Sequence, residues 1–267
     1  MKKMPKPAKL VWLTDLHFDT TPAWGVDLDA RLNSAIDHIV EHQSDASYCM
    51  VTGDLTNDGD AALNEALRER LDRLPMPWLP LIGNHDDREH VRDVLSPPGH
   101  VGDFIQYTVE TEAGVILCLD TKLEGTSIGE LAAPCLEWLA RKLTEHADRP
   151  IFLFMHHPPA KLHSQFDDIG LSNRAAFLDI VRGSSVRHIF AGHIHRRASG
   201  VVAGIPFSTM QAVSFQAPGP GTTWDWNKFS PTKEPPAYGV IYIDGDDVTV
   251  QSEVFCDADF GWMPETL

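Results

Sequence analysis

Residues Pro80–Val91 read PLIGNHDDREHV, an apolar run closed by a glycine and followed at once by Asn84, His85, Asp86 and Asp87. A buried strand that ends on ionisable groups, with no plain turn, delivers those groups to a sheet edge. The same pattern recurs on either side. KLVWLTD (9–15), SYCMVTGD (47–54) and MPWLPLIGN (76–84) read as buried strands, and DARLNSAIDHIVEHQ (29–43) and AALNEALRERLDRL (61–74) between them carry the period of amphipathic helices. Strand-helix-strand alternation predicts a parallel sheet with crossovers. Downstream, FIQYTVE (104–110) and GVILCLD (114–120) read as a hairpin. PCLEWLARKLTEH (134–146) and RAAFLDIVRG (174–183) read as helices, and IFLFMHH (151–157) and VRHIFAGH (186–193) as strands. The remainder is mostly strand, with candidates at VVAGIPFSTMQAVSF (201–215), AYGVIYID (237–244) and DVTVQSEVF (247–255). An α/β first part and a β-rich end imply two packed sheets with helices outside, in one domain over 1–267. The stretch 216–237, rich in Pro, Gly and aromatics, reads as a surface or oligomer contact or as a lid.

Composition narrows the function. The chain has 267 residues, 43% of them hydrophobic, and 38 acidic against 22 basic side chains give a formal charge of −16. That balance disfavours a surface that tracks a nucleic-acid backbone and suits small or neutral partners. The opening lysines lead into an apolar run broken by Asp15, so neither a secretory signal nor a membrane span is legible. Cys49, Cys118, Cys135 and Cys256 show no metal or redox spacing and read as thiols of a reducing compartment, the cytoplasm.

The polar residues at the strand ends carry the chemistry. Asp15 and His17, Asp54, Asn84 and His85, His156 and His157, and His193 and His195 each follow one of five strands of the α/β part. Such strand ends border the crevice where open α/β sheets bind ligands. Each piece alone is weak: Gly-Asp also occurs at Gly59, Gly102 and Gly245. Jointly, buried carboxylates, imidazoles and an amide require positive charge between them, which two cations would supply. Asp, His and Asn donors suit zinc, iron, manganese, cobalt or nickel better than calcium or copper(I). Asp54, with two oxygens, is the natural bridge, and Gly53, Gly83 and Gly192 let the chain turn sharply beside it.

In order, DLH (15–17), GD (53–54), GNHD (83–86), His156 in MHHPP and GHIH (192–195) resemble the five-block signature of the calcineurin-like metallophosphoesterases. TGDLTNDGD, GNHDDR, MHHPP and AGHIHR are similar to bacterial class III cyclic nucleotide phosphodiesterases and glycerophosphodiesterases. The resemblance implies a four-layer αββα sandwich of two mixed sheets. It makes Asp15, His17 and His195 ligands of one metal ion and Asn84, His156 and His193 ligands of the other, with Asp54 bridging; the metals would be manganese, iron or zinc. His85 becomes the group beside the metals that meets the phosphoryl or leaving oxygen. Asn57 stands where the Ser/Thr phosphatases of the superfamily carry the aspartate that supports this histidine, which leaves His85 without an evident orienting partner. The implied activity is hydrolysis of a phosphodiester, a cyclic nucleotide, a glycerophosphodiester or a phospholipid headgroup, by water activated between two cations. A phosphomonoesterase, and behind it a nuclease or a non-catalytic scaffold, are the alternatives. The aromatic residues Phe18, Trp224 and Trp226, with His157 and His163, read as packing, anchoring or strand-end residues. Asp86 and Asp87 are left to tune His85 or to open the following helix.

Overall fold

The computed structural model describes residues 7–264. The chain runs β1 (Ala8–Leu13), α1 (Leu28–His42), β2 (Tyr48–Thr52), α2 (Ala61–Leu71), β3 (Trp78–Leu81) and a short α3 (Arg88–His90) that continues as a π-helical turn over Val91–Leu95. It goes on through β4 (Tyr107–Thr111), β5 (Gly114–Leu119), α4 (Ala133–Glu145), β6 (Ile151–Met155), α5 (Arg174–Val181), β7 (Val186–Ala191), β8 (Ser199–Val202), β9 (Ile205–Thr209), β10 (Ala237–Asp244) and β11 (Asp247–Val254). Three of the helices, α1, α2 and α3, start at side-chain caps. Asp27 accepts the amide of Ala30, Asp60 those of Ala62 and Leu63, and Asp87 that of His90, so Asp87 opens the helix after the GNHD run.

One sheet has the order β11-β10-β1-β2-β3, and the other β4-β5-β6-β7-β9-β8. β1, β2 and β3 are parallel, as the alternation predicts, and so are β5, β6, β7 and β9; antiparallel strands complete both sheets. The inner faces share one core, in which Trp12 and Tyr238 of the first sheet meet Phe154 and Phe190 of the second. Trp12 packs edge-on to Phe190 with ring centroids 5.4 Å apart. α1 covers the outer face of the first sheet through Leu32, Ile36 and Ile39. α4 and α5 cover that of the second through Leu139, Phe177 and Val181. This is the αββα sandwich of the expected class. The two parallel groups bring their carboxyl ends to one edge.

One expected strand is not continuous. Residues 201–215 divide into the β8–β9 hairpin and a free segment, because Ala203 (φ 52°) and Gly204 (φ 85°) form a two-residue turn with positive φ at both positions. The free segment returns to the strand-end edge, where Val213 donates to the carbonyl of Thr14 and Ser214 Oγ to that of Asp15 (2.6 Å). Arg31 of α1 is fully buried. Its guanidinium binds the carbonyls of Phe260 (2.9 Å), Ala258 and Ser214 and lies against the Trp262 ring, which fastens the C-terminal segment over α1.

Candidate metal centre

Every strand-end residue singled out from the sequence reaches this edge. Asp15 and His17 follow β1, Asp54 follows β2, Asn84 and His85 follow β3, His156 follows β6, and His193 and His195 follow β7. The backbone there is under strain that the fold must hold. Asp15, His17, Asp54, His193 and His195 all have positive φ, between 43° and 73°, a region that non-glycine residues seldom enter outside functional sites. The loops also touch. A Cβ on Gly83 would collide with the amide and Oδ1 of Asp54, one on Gly53 would lie 2.6 Å from His156 Nδ1, and one on Gly192 would collide with Thr14 Oγ1. These glycines therefore serve close approach of one ligand loop to the next.

Two convergences of donor atoms result. His17 Nε2 and His195 Nε2 face each other at 3.1 Å, with Asp15 Oδ1 3.5 Å from the latter and Asp54 Oδ2 3.5 Å from the former. His156 Nε2 lies 3.3 Å from Asp54 Oδ2 and 3.2 Å from Asn84 Oδ1. Asp54 thus reaches both groups. Three of the four imidazoles spend their other ring nitrogen on a carbonyl, His195 Nδ1 donating to Phe215 (2.7 Å), His156 Nδ1 to Thr52 (2.8 Å) and His193 Nε2 to Ile169 (3.1 Å), whereas His17 Nδ1 is buried with no partner among the described residues. Each such bond turns the remaining nitrogen towards the cluster, the arrangement that orients metal-bound imidazoles. His157 lies beside His193, but Thr121 Oγ1 (2.8 Å) and the carbonyl of Ser127 (3.2 Å) occupy both of its nitrogens. It holds the 121–129 loop, in keeping with its reading as a strand-end residue.

The electrostatics ask for a cation. Asp15 and Asp54 are both essentially buried, and among the described residues that line the cavity over them there is no lysine or arginine. Burial raises the Asp15 carboxyl. Burial also works to raise that of Asp54, but the surrounding His156, His85 and His17 hold it well below the usual range. Burial opposes charge on His156 as well, yet Asp54 and Asp15 push that imidazole up to about 9. His17 and His193 are held well below their ordinary value, first by burial and then by neighbouring histidines, so they keep the lone pair a metal needs. The donor set fits two ions: Asp15, His17, Asp54 and His195 converge closely enough to hold one, and His156, His157 and His193 form a second group, with Asp54 and Asn84 oxygens beside His156.

The comparisons with known proteins agree. The family pattern described as calcineurin-like phosphoesterase matches residues 8–197. The chain belongs to the calcineurin-like phosphoesterases. As a member of this family it is a metal-dependent hydrolase of phosphoric esters. A probable cyclic nucleotide phosphodiesterase of Rhodopseudomonas palustris is 33% identical over 253 residues, 91% of this chain and 90% of the relative. The glycerophosphodiester phosphodiesterase GpdQ of Enterobacter lignolyticus is 28% identical over 218 residues, 78% of each chain. Among solved structures, a dimetal phosphatase from Danio rerio superposes with a TM-score of 0.73 over 95% of this chain and 98% of its own, at 14% identity, which bears on the fold alone.

Several features of this calcineurin-like phosphoesterase were not readable from residue types. His85 Nδ1 donates to the main-chain carbonyl of Asn57 (2.8 Å), while the His85 amide donates to Asp54 Oδ1 (3.0 Å). The orienting partner is thus the backbone of the very residue whose side chain departs from the phosphatase pattern. Asp86 does not touch His85. Its buried carboxylate accepts the amides of Leu55 (2.8 Å), Thr56 (3.2 Å) and Gly83 (2.8 Å), which staples the β2 loop to the β3 loop. Over the cluster lies a cavity of about 350 Å³ walled by Trp24, Phe166, Ile169, Phe215, Trp226 and Phe229. Trp226, 40% exposed, faces the cavity and is not a buried anchor, and Trp24, 42% exposed, drew no notice in the sequence. Phe18 is core, as expected, and His163 is exposed in a loop. The 216–237 stretch is tied down where Arg196 meets Glu234 and where Gln165 pairs with the backbone of Trp224 in both directions.

Proposed function

We propose that the protein hydrolyses small phosphodiesters, cyclic nucleotides or glycerophosphodiesters, at a dinuclear site. In that site Asp15, His17, Asp54 and His195 hold one ion of manganese, iron or zinc, and Asp54, Asn84, His156 and His193 hold the other. The observation that carries the diester reading is the make-up of the cavity. An aromatic wall with no cationic side chain suits a substrate with a single negative charge and two organic substituents, whereas a monoester dianion calls for further positive donors. The names of the relatives point the same way. When bound, the two ions would activate water and polarise the phosphoryl oxygens.

The chain's own residues do the rest. His85, held at Nδ1 by Asn57, presents Nε2 to the cavity beside Asn84, where it hydrogen-bonds the departing oxygen. Trp24, Phe166, Trp226 and Phe229 exclude water from the reacting ester, so the 216–237 stretch acts as a wall of the site. Cytoplasmic placement goes with the four free cysteines, three of them buried; no described helix is long and apolar enough to cross a membrane. The test is a kinetic panel of bis(p-nitrophenyl) phosphate, p-nitrophenyl phosphate, cyclic AMP and glycerophosphocholine on metal-loaded protein. The diesters should show the higher kcat/KM, and preference for the monoester would refute the reading.

A further inference from the structure

We infer that Trp24 and Asn57 act as a pair of positioning residues that hold His85 against the leaving group. The pair is built from one residue used twice. The Asn57 main-chain oxygen accepts His85 Nδ1–H at 2.8 Å, and the Asn57 side-chain Oδ1 accepts Trp24 Nε1–H at 3.1 Å. Among the described residues Asn57 Nδ2 meets Asp58 Oδ1, at 3.4 Å, and the Asn57 amide donates to the Phe18 carbonyl (3.1 Å). Both functional bonds therefore converge on one residue, whose amide is itself held by Phe18. A carbonyl can only accept, so His85 carries its Nδ1 proton towards Asn57 and turns Nε2 towards the cavity that Trp24 also lines.

Trp24 stands in its place at a cost. It has φ 56° and forms a two-residue turn with Gly25 (φ 76°), closed by reciprocal bonds between Ala23 and Val26. A bulky side chain in the left-handed region is a true outlier. The surroundings over-determine it: Met263 donates to the Gly25 carbonyl (2.9 Å), Val26 bridges to Trp262, and the indole packs against Phe215 and Phe229. Strain maintained at the mouth of a site, on a residue still 42% exposed, points to a task there. The task is to form the wall that the departing alcohol or phenol meets and, through Asn57, to fix the imidazole that receives its oxygen. The leaving group then lies on the Trp24 side of the cavity.

This inference rests on the assignment of His85 above, and the experiment separates the two. Trp24→Phe removes the indole N–H but keeps a ring, and Asn57→Ala removes its acceptor but keeps the carbonyl to His85. Both variants, the double variant and His85→Ala are assayed as metal-loaded protein on bis(p-nitrophenyl) phosphate and on diphenyl phosphate, which differ in leaving-group quality and little in shape. Each single variant is expected to lower the diphenyl to p-nitrophenyl ratio of kcat/KM about five-fold, the worth of one hydrogen bond, with metal content unchanged. The double variant should lose no more than either single one, because both cut the same bond. A merely structural role would lower thermal stability and leave the ratio where it was, and that result overturns the inference, as do multiplying losses in the double variant. His85→Ala should depress the ratio at least about a hundred-fold. If it leaves the ratio unchanged, the assignment of His85 itself falls, and the inference with it.

Discussion

Replacing Gly83 by alanine tests whether the glycines exist for contact between ligand loops. The change adds one methyl group and, since Gly83 is not in the left-handed region, imposes no backbone penalty of its own. The new Cβ would collide with the amide nitrogen and Oδ1 of Asp54 and sit 2.9 Å from its Cγ, where ordinary contact begins at 3.4 Å. Asp54 must therefore retreat by at least half an ångström, the difference between those two distances. It is the carboxylate that meets His17 at 3.5 Å and His156 at 3.3 Å, and it also accepts the His85 amide at 3.0 Å. Overpacking of this kind costs about 1–3 kcal/mol, a fall in Tm of roughly 2–10 °C at this chain length. Since a misplacement of about 1 Å can cost about a hundred-fold in rate, half of that should cost on the order of ten-fold or more, together with loss of bound metal. The assay pairs metal analysis of the purified variant with kcat on bis(p-nitrophenyl) phosphate, using as a control Gly219→Ala, outside the left-handed region and with nothing closer than 3.8 Å to the added methyl. Gly83→Ala with wild-type metal content and wild-type kcat would refute the reasoning.

Asp86→Asn should destabilise the protein by about 1–3 kcal/mol, because the new NH2 must face a buried backbone donor that the carboxylate now serves; urea unfolding reads this, and an unchanged midpoint contradicts the staple. Burial holds the His188 imidazole down at about 4, where the unfolded chain takes its proton near 6.5. The folded state thus binds fewer protons between these values, and roughly 3 kcal/mol of stability, complete above about pH 6.5, is lost as the pH falls to about 4. His188→Gln should flatten the acid limb of a Tm against pH profile. Removal of metal by a chelator should abolish activity and lower Tm, by the equivalent of about 4 kcal/mol if free metal had stood a thousand-fold above Kd. Restoring manganese, iron or zinc should reverse both changes.

The sandwich and the seven candidate ligands were legible because both are written in residue types at fixed places. Apolar runs mark β1, β2, β3, β6 and β7, and each is followed within three residues by Asp, Asn or His. What escaped was made by the backbone. The partner of His85 is a carbonyl, which every residue has, so the Asn57 side chain, departing from the phosphatase pattern, gave no sign of it. Asp86 looked like a neighbour of His85 because it follows it, but its carboxylate points back to three amides. Trp24 lies in sequence between β1 and α1 with no polar signature, and only the turn at Trp24–Gly25 brings it to the cavity. The β8–β9 hairpin was hidden in a stretch of mostly apolar residues, although Ala-Gly at its centre is compatible with the turn it makes.

The Arg31 guanidinium has a bearing on how the chain can be cut and tagged. The carbonyls of Ala258 and Phe260 are two of its three partners, and the same terminal segment braces the Gly25 turn through Met263. Trimming the chain at about residue 257, a natural choice for anyone who takes β11 as the last element of the fold, would strand a buried cation and release the loop that carries Trp24. The damage would surface at the mouth of the active site, on the indole side, and would be mistaken for a defect in catalysis.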